Sequence, residues 1–201
     1  MGEFRHVAAP ASLNRTPMPS FSTLTLQTAR LDLRPLAPTD AQALFALKSD
    51  PVVMRYGSSP PWTDPQAAVD YIERDLREMA AGKFVQLAIV RREDASVIGT
   101  CNLCDFDAQS RRAEVGYSLM VSAWGRGYAS EAVTALLDWG FERMQLNRVE
   151  ADIDPRNTPS ARALERLGFV REGHLRERWI VGGEKCDSLI YGLLAREWKA
   201  S

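Results

Sequence analysis

The chain has 201 residues, and its 25 Lys and Arg and 26 Asp and Glu give a formal net charge of −1. This length favours one globular domain. A near-neutral chain lacks the cationic excess of most nucleic-acid-binding proteins, so we expect no nucleic-acid partner. No apolar run approaches the roughly 18–20 residues that cross a bilayer, and the N-terminus lacks the apolar stretch of a secretory signal. We therefore expect a cytosolic protein with no membrane partner.

The three cysteines are too few for a disulfide framework in a chain of this length, which fits a reducing compartment. Cys101 and Cys104 form a CxxC motif inside a segment typical of a strand. Residues three apart in a strand point to opposite faces, and no second pair of cysteines follows. We therefore predict no metal site and interpret both cysteines as small buried apolar side chains.

Residues 1–22 are rich in Ala, Pro, Ser and Thr and have no apolar period. This composition predicts a flexible N-terminal arm, followed by one domain over residues 23–201. The domain is expected to begin with a strand, because apolar residues have strand spacing. These residues are Leu24, Leu26, Leu31 and Leu33.

Two helices are predicted after this strand. The first begins at a capping box formed by Thr39 and Gln42 and ends near Lys48. The second begins at Asp64 as N-cap and ends at Gly82.

The rest of the chain alternates strands and helices. Polar turns separate the runs FVQLAIVR, SVIGTCNLCDF and RRAEVGYSLM, which predicts an antiparallel meander. A long amphipathic helix follows from Val133 to Met144, then a strand in RVEADI, a helix in SARALERL and a final hairpin. The predicted order is strand, helix, helix, three strands, helix, strand, helix and two strands. This pattern predicts an α/β (α+β) domain with a mixed, mostly antiparallel sheet of seven strands flanked by about four helices.

The segment Trp124–Glu131 lies between a predicted strand and the long helix. Gly125 and Gly127 allow backbone conformations that a Cβ would block, and Ala129 keeps the start of the helix small. Free N–H groups at the positive end of a helix dipole favour an anion, although a tight turn that binds nothing is the alternative. The segment lacks both the nucleotide P-loop pattern and the dinucleotide fingerprint, which argues against a mononucleotide and NAD.

A second motif, Asn157–Phe169, follows further along the chain. Together with LxTxRLxLRPL, AEVGYSL, WGRGYASEA and EGHLRE, it resembles the acetyl-CoA-binding signature of the GNAT acyltransferase superfamily, in its RimJ/RimL-type branch. The match runs in order from about residue 24 to the C-terminus. The resemblance implies a GNAT-like fold and transfer of an acetyl group from acetyl-CoA to a protein N-terminus or a small amine. We expect no metal, and a monomer or a homodimer.

The resemblance also implies which residues bind acetyl-CoA. The family's loop pattern falls on Trp124, Gly127 and Ala129, and Trp124 departs from the usual Gln or Arg. The strand before the loop is expected to offer main-chain groups to the pantetheine arm where it splays from the next strand. Arg126 is either a phosphate ligand or a solvated arginine, and Asn157 either bonds the pantetheine or holds the turn. The candidate set is Leu119, Met120, Val121, Gly125, Arg126, Gly127, Tyr128, Ala129, Ser130 and Asn157.

The position that carries a general acid in many GNAT enzymes departs from the family pattern. A Tyr usually lies seven residues after the Asn, and this chain has Leu164 there. Ser160 is the available hydroxyl, and we predict that it protonates the leaving thiolate. The alternative is that Ser160 is only an N-cap.

Glu114 is the candidate general base, because an amine arrives protonated and must lose a proton before it attacks. It lies in a predicted strand beside Ala113, where burial would raise its pKa, and the resemblance implies a glutamate there. The alternative is a carboxylate paired with Arg111 or Arg112. No nucleophilic triad is apparent in the sequence, so direct transfer in a ternary complex is favoured over an acyl-enzyme.

Aromatic and arginine residues suggest where the acceptor binds. The candidates are Tyr56, Trp62, Arg176 and Trp179, although Trp62 in a Pro-rich loop is also typical of a residue that covers the core. Two other functions remain open at this point. One is an acetyl-CoA-binding module without turnover, and the other is a generic phosphate-binding protein.

Overall fold

The computed structural model describes residues 19–198, and these form one mixed eight-stranded sheet with helices on both faces. The strands are β1 (Leu26–Gln27), β2 (Leu31–Pro35), β3 (Val85–Arg91), β4 (Ser96–Asp107), β5 (Arg112–Leu119), β6 (Arg148–Ile153), β7 (Val170–Val181) and β8 (Glu184–Leu194). The helices are α1 (Ala41–Ser49), α2 (Pro51–Met54), α3 (Gln66–Ala80), α4 (Tyr128–Glu142), α5 (Thr158–Arg166) and α6 (Ala195–Trp198). The strands lie in the order β1-β2-β3-β4-β5-β6-β8-β7.

The structure confirms the predicted fold class but corrects the number of elements. The predicted first strand is two strands, because a turn at residues 28–30 breaks it: the Thr28 N–H donates to the Leu31 carbonyl at 2.9 Å. Leu26 then pairs with Leu33 across the turn. The four predicted helices correspond to α1, α3, α4 and α5, and the described residues add the four-residue helices α2 and α6.

The core lies on both faces of the sheet. Along β3, Leu87 and Ile89 belong to the cluster that α4 covers, whereas Ala88 and Val90 belong to the cluster that α1 and α3 cover. Alternate residues of a strand point to opposite faces, so a strand with helices on both sides is apolar over most of its length.

Phe21 corrects the predicted boundary of the N-terminal arm. Its side chain is 2% exposed, and its ring centroid lies 5.6 Å from that of Trp139. Its N–H donates to the Met79 carbonyl at 2.9 Å. Phe21 is therefore part of the core, so the domain extends N-terminally at least to this residue. Residues 1–18 of the predicted arm lie outside the described residues.

The sheet opens between β5 and β6, which form its one parallel pair among the described strands. Pairing covers only three steps and ends at Glu114 opposite Glu150. Beyond this point β5 continues along β4 to Leu119, while β6 continues along β8 to Ile153. The two strands therefore diverge, as the resemblance to the family implies. Among the described residues, no helix is both long and apolar enough to span a membrane.

Candidate active site

Two cavities meet on the part of β5 that lies beyond Glu114. The first, of about 590 Å³, is bounded by the glycine segment before α4 and by α5, and we call it the glycine-loop cavity. The second, of about 470 Å³, contains Glu114, and we call it the acidic cavity. The residues that line both are Val53, Tyr56, Tyr117, Ser118 and Asn157. The two cavities therefore share a wall at the opening of the sheet.

The glycine-loop cavity lies at the positive end of α4. Gly125 and Gly127 have φ of 72° and 78°, in the region that glycine adopts most easily. The N–H of Glu131 donates to the Gly127 carbonyl at 3.0 Å. The amides of residues 127–130 precede this bond, so the helix itself supplies no acceptor for them. These N–H groups and the helix dipole favour an anion.

Some of the residues predicted to bind acetyl-CoA line this cavity, and others do not. Described residues on its wall include Leu119, Gly125, Gly127, Tyr128, Ala129, Ser130 and Asn157. The described lining does not contain Met120, Val121 or Arg126. Arg126 is exposed, which agrees with the alternative of a solvated arginine.

Two main-chain groups expected to meet a pantetheine arm already have partners. The indole N–H of Trp124 donates to the Leu119 carbonyl at 2.8 Å. The Met120 N–H donates to the Ile98 carbonyl at 2.9 Å. Trp124 thus bonds the end of β5, where the family pattern has Gln or Arg.

The two cavities have opposite charge. Among the described lining residues of the glycine-loop cavity, the charged side chains are Arg162 and Arg166. The acidic cavity has six carboxylates and three cations on its described wall. They are Asp105, Glu114, Asp152, Asp154, Glu184 and Asp187, against Lys48, Arg55 and Arg156. One cavity therefore suits an anion and the other a cation.

Glu114 lies on β5 in the wall of the acidic cavity. Burial, with a further contribution from the charge of Asp152, raises its pKa to about 7. Within residues 19–198, no hydrogen bond or ion pair holds its carboxylate, and Arg112 bonds Glu150 instead. The alternative of a Glu114 carboxylate paired with Arg111 or Arg112 is therefore wrong. A carboxyl group with this pKa can exchange a proton near neutral pH.

Ser160 has a partner that the sequence analysis missed. The hydroxyls of Tyr117 and Ser160 are 2.8 Å apart, and both residues line the glycine-loop cavity. Burial raises the pKa of Tyr117 although the hydrogen bond with Ser160 opposes this shift, so the phenol stays protonated at neutral pH. Leu164, at the position of the usual acid, is fully buried. A phenol and an alcohol thus lie together where Ser160 alone was predicted.

Asn157, and not Ser160, is the N-cap of α5. Its Oδ1 accepts from the Ser160 N–H at 3.3 Å. The alternative role of Ser160 as N-cap is therefore wrong, and Asn157 holds the turn with its side-chain oxygen. Asn157 also lines both cavities.

The predicted acceptor residues are only partly together. Tyr56 lines both cavities, and Trp179 lines the acidic cavity, where its indole N–H donates to Asp152 at 3.2 Å. Trp62 packs on Tyr71 with ring centroids 5.4 Å apart, against the cluster under α1 and α3. Arg176 is exposed on β7. Neither Trp62 nor Arg176 is among the described lining residues, and Trp62 covers the core.

The two cysteines of the CxxC motif have different surroundings. Cys101 is buried in the core, as predicted, whereas Cys104 lines the acidic cavity. The Cys104 sulfur and carboxylate oxygens of Asp105 and Glu114 lie within 4.8 Å of one another. Burial raises the pKa of the Cys104 thiol to about 12. Cys104 is therefore a protonated thiol at neutral pH and a weak nucleophile.

Comparison with known proteins identifies the family of the chain. Residues 30–170 match the family described as acetyltransferase (GNAT) domain. The chain is 41% identical over 174 residues to the uncharacterized N-acetyltransferase p20 of Bacillus licheniformis. The aligned region covers 87% of this chain and 98% of that protein.

Two solved structures share the fold. One is named "putative ribosomal-protein-serine acetyltransferase from Vibrio cholerae", with 25% identity, a TM-score of 0.77 and coverage of 86% of this chain and 98% of that one. The other is spermidine N-acetyltransferase from Vibrio cholerae in complex with CoA and spermine, with 20% identity, a TM-score of 0.76 and coverage of 86% and 99%. The chain therefore belongs to the GNAT acetyltransferase family and is an acyl-CoA N-acetyltransferase.

Proposed function

We propose that the protein transfers an acetyl group from acetyl-CoA to a primary amine by direct attack in a ternary complex. The observation that supports this proposal is the pair of oppositely charged cavities that meet at Tyr117, Ser118 and Asn157. Acetyl-CoA carries phosphates and suits the glycine-loop cavity, whereas an ammonium group suits the acidic cavity. The shared wall then brings the thioester and the amine together.

The residues of the glycine-loop cavity fit acetyl-CoA. The free amides of residues 127–130 suit its pyrophosphate, and Arg162 and Arg166 suit its phosphates. A Cβ built on Gly125 has no atom within 4 Å, so the loop leaves room for a ligand. Beyond Glu114, no strand of the described residues pairs with β5 on its β6 side, and the main-chain groups there suit the amides of the pantetheine arm.

Glu114 is proposed as the general base. An amine with a pKa of about 8 or about 10.4 is mostly protonated at neutral pH and must lose a proton first. Glu114, with a pKa of about 7, takes this proton directly or through a water. The amine nitrogen then forms a bond to the thioester carbonyl carbon, and the bond from that carbon to sulfur breaks. The nitrogen loses its second proton to solvent, which leaves a neutral amide.

Ser160, together with Tyr117, is proposed as the source of the proton for the leaving thiolate. Their hydroxyls are 2.8 Å apart, so a proton that leaves one can be replaced from the other. Cys104 beside Glu114 remains a thiol, which argues against an acetyl-enzyme on this residue. The acetyl group thus passes from sulfur to nitrogen in one transfer.

The acceptor is proposed to be either the α-amine of a protein N-terminus or a small-molecule amine. A panel distinguishes these classes: short peptides with free N-termini, the same peptides with blocked N-termini, and aliphatic mono- and diamines. The readouts are release of the CoA thiol and the mass of the acetylated product. We expect turnover with one class and none with blocked peptides. Acetyl-CoA consumption no faster than its hydrolysis with every amine would contradict the proposal.

Rapid mixing without an acceptor tests the direct mechanism. We expect no release of CoA in an amount equal to the enzyme, because no covalent intermediate forms. A stoichiometric burst of CoA would instead show that an acyl-enzyme forms.

A further inference from the structure

The turn between β1 and β2 contacts the start of α4, although the two segments are far apart in sequence. From this turn, Arg30 donates through Nη1 to the Arg126 carbonyl at 3.0 Å and through Nε to Glu131 Oε2 at 2.6 Å. Its Cζ lies 4.6 Å from the centroid of the Tyr128 ring. Both segments belong to motifs that resemble the GNAT family, LxTxRLxLRPL and WGRGYASEA.

The same turn also binds the other oxygen of Glu131. Glu131 Oε1 accepts from the Thr28 hydroxyl at 2.6 Å and from the Arg30 N–H at 2.9 Å. Burial opposes ionisation of Glu131, but the bonds from Thr28 and Arg30 outweigh it and lower its pKa. A full negative charge is therefore fixed in the first turn of α4.

Glu131 directly follows residues 127–130, whose amides are proposed to bind the pyrophosphate of acetyl-CoA. A carboxylate in the first turn reduces the attraction of the helix start for a second anion. The guanidinium of Arg30 bonds Glu131, and its Nη2 would lie 3.5 Å from a Cβ built on Gly127. Arg30 therefore neutralises Glu131 at the edge of the cavity.

Arg30 also fixes the peptide between Arg126 and Gly127. Because a peptide unit is planar and trans, its C=O and N–H point in opposite directions. The bond from Arg30 holds the Arg126 carbonyl, so it also directs the Gly127 N–H away from Arg30. Gly127 lines the glycine-loop cavity.

The pair of Arg30 and Glu131 is only partly open to solvent. The Arg30 side chain is 48% exposed, so solvent screens its charge, whereas the Glu131 side chain is 17% exposed. The pair therefore also contributes to stability, and a test of Arg30 must separate ligand binding from folding.

We propose that Arg30 is a positioning residue for the pyrophosphate of acetyl-CoA: it fixes the Arg126–Gly127 peptide and cancels the charge of Glu131. This inference rests on the donor site proposed above. It assigns a role to the motif LxTxRLxLRPL, because Arg30 in this motif holds the loop of the motif WGRGYASEA in position.

Calorimetric titration with CoA and with pantetheine, which lacks the phosphates, tests the proposal. Arg30→Met is expected to weaken CoA binding about tenfold while pantetheine binding stays unchanged. The double variant Arg30→Met/Glu131→Gln is expected to recover part of this loss, because no uncompensated carboxylate remains. Arg30→Lys keeps the positive charge but not the pair of bonds that the guanidinium makes to the Arg126 carbonyl and to Glu131. The CoA affinity of Arg30→Lys should therefore fall between those of the wild type and Arg30→Met.

Arg34→Met is the matched control. Arg34 lies on β2, directly after the turn that contains Arg30, and bonds Asp40 at 2.6 Å. Neither Arg34 nor Asp40 is among the described lining of the two cavities. The CoA affinity of Arg34→Met should equal that of the wild type.

The outcomes separate this inference from the proposed function. A wild-type protein that does not bind CoA would contradict the donor site itself. Wild-type CoA affinity in a folded Arg30→Met or Arg30→Lys variant would overturn only the role of Arg30. Equal losses of CoA and pantetheine binding, or equal losses in Arg30→Met and Arg34→Met, would show a merely structural role and would also overturn it.

Discussion

The hydroxyl of Tyr117 lies 2.8 Å from the hydroxyl of Ser160, and this bond joins β5 to the first turn of α5. Either oxygen can be the donor. Both residues line the glycine-loop cavity, and Tyr117 also lines the acidic cavity. A proton held by this pair is thus close to both proposed substrates.

If the two hydroxyls act as one proton source, their removal should not be additive. Tyr117→Phe and Ser160→Ala are each expected to lower kcat about 10²-fold, as for a general acid, and the double variant should be little worse than either single one. Steady-state kinetics at saturating acetyl-CoA and amine measure this. Tyr191→Phe is the control, because its hydroxyl bonds Glu165 and it is not among the described lining residues. Unchanged kcat in both single variants would leave solvent as the proton source.

Glu114 should control the pH dependence of turnover. Because the base must be ionised, kcat/KM should rise with pH with a midpoint near the pKa of about 7. Glu114→Gln should abolish this limb and lower kcat by about 10²-fold or more, with CoA affinity unchanged. Acceptors of different amine pKa separate the two ionisations, since they move only the limb that belongs to the amine. A limb near pH 7 that persists in Glu114→Gln would assign it to another group.

The same pKa predicts a pH-dependent effect on stability. Burial raises the pKa of Glu114 from 4.5 to about 7, so between these values the folded protein binds more protons than the unfolded chain. Stability from this group therefore falls as pH rises through that window. Glu114→Gln removes the effect and should raise the melting temperature relative to the wild type more at pH 8 than at pH 5. The exposed residue Glu142 provides the control variant, Glu142→Gln, and a pH-independent difference for Glu114→Gln would contradict the prediction.

Two glycines allow a matched test of the anion site. Gly125 and Gly183 have φ of 72° and 88°, and a Cβ built on either has no atom within 4 Å. Only Gly125 is among the described lining of the glycine-loop cavity. Gly125→Asp and Gly183→Asp should therefore cost similar stability, about 1–2 kcal/mol for a side chain in this conformation. Only Gly125→Asp should weaken CoA binding, about tenfold or more, because a carboxylate would face the pyrophosphate. Equal CoA affinity of the two variants would remove the site from this loop.

Local periodicity was sufficient to predict most of the fold. Strand alternation and helical spacing identified each long element, since these patterns reflect which face each element buries. The break between β1 and β2 also had a signal, because Leu26 and Leu31 differ in parity and cannot share one face of a continuous strand. Phe21 had none, being a single aromatic residue in a polar segment whose partner Trp139 is distant in sequence.

The candidate site was less predictable, because it depends on which residues meet across the fold. Tyr117 lies on the same face of β5 as the buried residues Val115 and Leu119, a pattern typical of a core residue. Its partner Ser160 lies 43 residues further along the chain. The sequence does not show which of Trp62 and Trp179 contacts the acceptor. Trp62 packs on Tyr71, whereas Trp179 lines the acidic cavity.

The divergence of β5 and β6 has a consequence for how such a chain can change over time. The proposed contacts to acetyl-CoA are mostly main-chain groups of β5 and of the start of α4. A substitution changes a side chain but leaves these main-chain groups in place. On the acceptor side, the wall around Glu114 consists of side chains such as Asp152 and Trp179. A few substitutions there can redirect the enzyme to another amine, while the acyl donor and the architecture that holds it stay the same.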